Sequence, residues 1–405
     1  MSPIIWRVLA CIAMVAFVAV GARSETSDRK IRIGVLTDLN SLFADASGKG
    51  SVLAAQMAIE DFDASSKGLS VEVISADHQN KADIGADIVR KWLEVDHVDA
   101  IVDVPNSSVA LAVNEAVRGK HIALLASSTA TSDLTGPACS PNAIQWTFDT
   151  WSLANSTAKS IVQSGGDTWF FVTSDFTFGQ VLQRDATAVI LSNGGKVLGA
   201  VRHPLNTGDF SSFLLQAQAS QSKVIGLANS GGDTINSIKQ AQEFRVTQNG
   251  QKLAALLFFV TDVHAVGLPT AQGLLLTEAF YWDLNPETRA WSSRFAARNG
   301  GRMPTMNHAG VYSSILAYLG AVVASGSDDG ITIVNAIKQS NIVDPLFGKV
   351  TVRSDGRAVH DMFLFQVKSP AESSGAWDYY KLVKRIPGWE AFRAPDQGGC
   401  PIVRG

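Results

Sequence analysis

Short apolar, β-branched runs recur along most of the chain, each separated from the next by a longer amphipathic stretch. The first series is IRIGVL (31–36), LSVEVI (69–74), VDAIVDV (98–104) and HIALLAS (121–127), with helical patterns at 50–63, 83–94 and 109–118 between them. Strands spaced by helices of about a dozen residues require crossover connections, and hence a parallel sheet with both faces covered. The alternation then begins again: helix 153–163, TWFFVTS (168–174), helix 180–191, KVLGAVR (196–202), helix 210–219, KVIGLAN (223–229), helix 234–245, LAALLFFV (253–260) and GLLLTEAFYW (273–282). The pattern predicts an α/β protein of two doubly wound lobes with parallel sheets.

Beyond residue 282 the rhythm changes. Helical patterns at 287–299, 307–324 and 330–338 follow one another without strands, and 348–367 reads as a β-hairpin turning at Asp355-Gly356. Helices without strands of their own cover a sheet already made, so the chain is expected to cross between lobes more than once. The expected division is 30–149 plus about 280–342 for lobe 1, 150–279 plus about 343–385 for lobe 2, and 386–405 as a C-terminal tail.

The first 24 residues stand outside this scheme. Arg7, the apolar run 8–20 and the small residues Ala22 and Ser24 have the layout of a secretory signal peptide, and the run is shorter than the roughly 20 residues a bilayer core requires. Export to the periplasm would leave Cys139 and Cys400 as an even pair in a compartment that permits disulfides, both in Pro-flanked turns, and a Cys139–Cys400 bond is expected.

Composition narrows the function. With 46% hydrophobic and 18% charged residues and a net charge of −3, the chain has an ordinary globular make-up and no basic footprint for nucleic acid. SGKGS (47–51) lacks the Lys-Ser/Thr of a phosphate loop, the third glycine of a dinucleotide fingerprint is replaced by Leu53, and no G-x-S-x-G elbow, H-E-x-x-H or C-x-x-C occurs. Neither a metal nor a cofactor is expected. What recurs is short polar chemistry after strands: PNSS (105–108), SSTATSD (127–133), TSDFTFG (173–179), NSGGD (229–233) and TDVH (261–264). Helix capping accounts for one such residue per helix, whereas 127–135 holds six hydroxyls in nine positions. Open parallel sheets bind ligands beyond the carboxyl ends of their strands, and several short donors suit an anion better than a nucleophile. The catalytic rival is an exported hydrolase using Ser128 with His264; on a strand end Asp262 and His264 would share one side.

IRIGVLTDLN with Gly48 and Ala55, ALLASSTATSDLTG, TSDFTFGQVLQRDA and LFGKVTVRSDGRAVHDMFLFQV together resemble the leucine/isoleucine/valine-binding family of periplasmic solute-binding proteins. The resemblance covers residues 30–367. It implies a type I periplasmic binding protein: a monomer of two lobes joined by three hinge crossings, which clamps a small organic carboxylate without chemistry and presents it to an inner-membrane ABC permease, or to a membrane receptor in a sensing role. Carried over position by position, Ser107 or Ser108 with Ser128, Thr129 and Ala130 form the carboxylate cradle, Phe178 supplies a ring from the second lobe, and Asp262 falls near the acid that meets an amino acid's ammonium group. Ser47 occupies a slot often aromatic in amino-acid binders, with Leu42 and Phe43 close by. Trp146, Trp151, Tyr281 and Trp282 fall near the expected crossings. An aromatic acid and a branched or aromatic amino acid are the two ligand classes implied.

Overall fold

The computed structural model describes residues 29–403; the signal-peptide reading lies outside them. Five parallel strands, β1 (Lys30–Thr37), β2 (Ser70–Asp77), β3 (Ala100–Asp103), β4 (Ala123–Ala126) and β5 (Ala143–Gln145), form the first sheet in the order β2-β1-β3-β4-β5. The second is also parallel, β7-β6-β8-β9, from β6 (Thr168–Ser174), β7 (Lys196–His203), β8 (Val224–Ala228) and β9 (Lys252–Ala255). The two orders share one feature: the winding reverses beside the strand that starts each sheet, between β1 and β3 and between β6 and β8. At such a switch point the following loops leave in opposite directions and open a crevice.

The strands are short because the buried runs are short. VDAIVDV pairs over Ala100–Asp103, every residue of which is buried. LAALLFFV pairs only through Ala255; Leu256–Phe259 leaves the sheet and enters a helix at Val260–Val266. An apolar run marks burial, and cannot say where the ladder stops.

The chain passes between the sheets three times. It leaves the first after β5 and enters the second at β6; β10 (Leu275–Glu278) lies beside β9, after which the long helix Met306–Ser325 returns to pack on helix Gly48–Phe62. The late hairpin exists, but it is narrower than its pattern. β11 (Ile342–Asp344), β12 (Gly348–Val352) and β13 (Ala358–Val359) form an antiparallel sheet turning at 353–357, while β14 (Met362–Val367) departs to pair with β10 and with β15 (Tyr380–Ile386). The break comes at His360 and Asp361, where the chain crosses for the third time.

These passages are tied together by buried polar groups. Arg357, fully buried, donates from Nη1 to the Phe148 carbonyl at 2.9 Å and from Nε to that of Ala358 at 2.8 Å, with the Asp149 carboxylate 3.7 Å away. His360 Nε2 lies 3.1 Å from the Trp146 carbonyl. The tail then returns over the first sheet, where Cys139 and Cys400 are joined with Cα atoms 5.6 Å apart.

Candidate functional site

Both switch points open toward one cavity. From the first lobe it is lined by Phe43 and Ala46 after β1, Pro105 after β3, Ser128 and Ala130 after β4, Phe148 after β5, and Asn307 at the start of helix Met306–Ser325. The second lobe supplies Phe176 and Phe178 after β6, Ser230 after β8, and Leu257 and Phe259 after β9. Five phenylalanines thus wall a space to which Ser128, Ser230 and Asn307 bring polar side chains. Phe148 and Phe259 meet edge to face across the lobes at 6.4 Å, and Phe176 and Phe178 pack at 5.9 Å.

The lobes are in contact over it. Ser108 Oγ donates to Thr177 Oγ1 at 2.8 Å, Ser132 Oγ to Asp185 at 2.6 Å, and Arg184 pairs with Asp133 at 2.8 Å. Gly231 sits at φ 58°, and a Cβ there would lie 2.4 Å from the Leu42 carbonyl oxygen, so this approach of the two lobes requires glycine. The arrangement is closed: the cavity encloses about 20 Å³, about the room one water needs. An organic acid can reach it only if the lobes part.

The polar side is held by strained backbone. Asp103 and Val104 both have positive φ, 79° and 59°, an uncommon state for any residue with a Cβ and more so for a β-branched one. The 127–131 loop over-determines it. Ser128 donates its backbone N–H to the Asp103 carbonyl at 3.0 Å and its hydroxyl to the Asp103 carboxylate, and Thr129 Oγ1 donates to the Val104 carbonyl at 2.7 Å. Burial pushes the Asp103 carboxyl up to about 6, against hydroxyls of Ser128, Thr37, Ser51 and Ser47 that pull it down.

The residues singled out in the sequence therefore divide. Phe43, Ser128, Ala130 and Phe178 line the cavity. Thr129 braces the strained turn, Ser108 bonds across the lobes, and Ser107 is buried in the first turn of its helix with no hydrogen-bond partner for its hydroxyl. Ser47 accepts from Asn307 Nδ2 at 3.0 Å. Asp262 lies behind the wall and accepts the Phe259 N–H at 2.9 Å; burial pushes it up to about 7. Asp262 and His264 sit on the helix Val260–Val266, where residues two apart diverge, so the strand-end geometry expected for them does not arise. Ser128 bonds to Asp103, while His264 Nδ1 lies 2.7 Å from the Tyr379 hydroxyl and stacks on Trp377, so the pair imagined for a hydrolase is not hydrogen-bonded. Trp146 donates to Ser313, and Tyr281 and Trp282 both donate to the Trp377 carbonyl, placing these rings in the crossings. Phe148, Phe176, Ser230, Phe259 and Asn307 were not singled out. Phe176 and Ser230 lay inside polar clusters already noted, and Phe259 two residues before one.

A family model for periplasmic binding proteins matches residues 30–376. The chain belongs to the periplasmic binding proteins. It is similar to a periplasmic binding protein of Burkholderia mallei whose crystal structure superposes with a TM-score of 0.90, at 44% identity over 93% of this chain and 100% of the other. A branched-chain amino acid ABC transporter periplasmic ligand-binding protein from Burkholderia xenovorans follows at 38% identity and TM-score 0.82, covering 92% and 99%. Among curated sequences, a Leu/Ile/Val-binding protein homolog of Brucella melitensis is 25% identical, and the match spans 62% of this chain and 65% of that relative. This is a periplasmic binding protein of the ABC-transporter type, in the leucine/isoleucine/valine-binding branch, with the two parallel-sheet lobes of that fold.

Proposed function

We propose that this protein captures a small aromatic carboxylate between its lobes and delivers it to an inner-membrane ABC permease, acting as a receptor and not as a catalyst. The observation that carries the reading is the wall of five phenylalanines beside Ser128. Rings gain from ring contact about 0.5–1.5 kcal/mol per pair beyond the area they bury, and a short hydroxyl suits a carboxylate. In this reading Phe43, Ala130 and Phe178 hold the ring, Ser128 turns its hydroxyl from Asp103 to donate to the acid, and Ser107, Ser108 and Thr129 support the loops that present it. The position of Asp262 behind Phe259, engaged as a helix cap, speaks against an ammonium group on the ligand. The protein works as an exported monomer in the periplasm, after loss of residues 1–24, with Cys139 and Cys400 oxidised.

A branched-chain amino acid is the second reading, supported by the name of the Burkholderia xenovorans relative. Calorimetry with benzoate, 4-hydroxybenzoate, leucine and phenylalanine separates the two. The proposal expects heat of binding from the benzoates, weakened about tenfold by Phe178→Ala, and none from leucine. Binding of leucine alone, lost in Asp262→Asn, overturns it.

A further inference from the structure

Beside the phenylalanine cavity lies a larger chamber of about 230 Å³. Its first-lobe side is the opening turn of helix Gly48–Phe62, with Ser47, Lys49 and Gly50, together with Arg302; Thr261 faces it from the second lobe. Asn307, which lines the cavity, donates to Ser47, which lines the chamber. The hydroxyl of Thr261, which is 4% exposed, is buried without a partner. Buried polar atoms are rarely left unpaired unless something else satisfies them.

The charges around the chamber do not cancel. Arg302 is held by Asp45 at 2.8 Å, while Lys49 makes no ion pair among the described residues. His308 is neutral: its Nδ1 accepts the Thr305 N–H at 3.1 Å and its Nε2 lies 2.9 Å from the Ser47 carbonyl, burial lowering it to about 4. Ser47 provides no side-chain cap to its helix, so the N–H groups of Lys49 and Gly50, which have no intrahelical acceptor, add a partial positive charge at the same place. The unspent charge is cationic.

We infer that the chamber is a second anion subsite, and that the preferred ligand is an aromatic acid carrying a second carboxylate on an arm that passes between Ser47 and Asn307. The inference rests on the aromatic-acid reading above. In it, the ring occupies the phenylalanine cavity, the first carboxylate meets Ser128, and the second takes the helix N–H groups, Lys49 and Thr261.

A matched pair of probes tests this: 4-propylbenzoate, which lacks the arm carboxylate, and 3-(4-carboxyphenyl)propanoate, which carries it, titrated calorimetrically into the mature protein and into its Lys49→Ala and Thr261→Val variants. The diacid should bind about tenfold or more tighter than the monoacid, the size of one good charge-assisted contact. Lys49→Ala should erase most of that difference, and Thr261→Val should reduce it. If the monoacid binds and the diacid is no tighter, or if Lys49→Ala weakens both equally, the second subsite is wrong and the aromatic-acid reading stands. If neither acid binds while leucine does, both fall together.

Discussion

Asp262 shows how one residue can resemble a ligand contact in sequence and serve the fold in three dimensions. Its carboxyl is fully enclosed, near the equally buried Glu278, and burial raises both. A carboxyl that holds its proton up to about pH 7 when folded, but only to about pH 4 when unfolded, favours the folded state most below pH 4. That contribution is lost as the pH climbs from about 4 to 7, because the unfolded chain then binds fewer protons than the folded one. Asp262→Asn keeps an oxygen to accept the Phe259 N–H and removes the titration. The variant should be more stable than the parent at pH 8 by roughly 2–4 kcal/mol and nearly equal to it at pH 4, read by urea denaturation at each pH. A parent that gains stability between pH 4 and 7 relative to the variant would place an ionised, partnered Asp262 in the fold. Ser128 is the converse case. The run of hydroxyls drew attention to it, and it lines the cavity, yet the reason it is held so firmly, the left-handed Asp103-Val104 pair, leaves no trace in the sequence because neither residue is a glycine.

At the level of elements, the alternation of apolar runs and helical patterns was sufficient to read two parallel sheets, because period and length are local properties of the chain. Strand ends were harder. The phenylalanines of LAALLFFV looked like core, and a side chain that walls a cavity has the same apolar signature as one that fills a sheet. Phe148 and Phe259 lie in loops more than a hundred residues apart and meet only because both strand orders reverse at the same face of the molecule. The tail illustrates a long-range constraint that could be read from two residues. Cys139 and Cys400 are both buried and 261 positions apart. Between them, Asn155 donates to the Glu390 carbonyl, Arg353 to that of Arg393, and Arg393 lies over the Trp151 ring at 5.6 Å. The tail thereby rests on the helix that follows the first crossing as well as on the first sheet. Replacing Cys400 with Ser should cost about 2–5 kcal/mol of stability, and exported protein should show no thiol reactive toward alkylation until it is reduced. Two thiols modified without reduction would contradict the linkage.

For the whole molecule, function rests on two bodies that touch across a cavity too small for a ring-bearing acid. The contacts that hold them together include a serine on a threonine, a buried serine on an aspartate, an exposed arginine on an aspartate and the edge-to-face pair Phe148 and Phe259. The exposed arginine pair contributes little because solvent can replace it, and a ligand that touches both lobes is expected to favour this closed form over an open one. Small-angle scattering on the mature protein, stripped of bound molecules by unfolding and refolding, measures this directly. Titration with benzoate should shrink the radius of gyration to a plateau, while leucine leaves it unchanged. Compaction by leucine and none by benzoate would contradict the account.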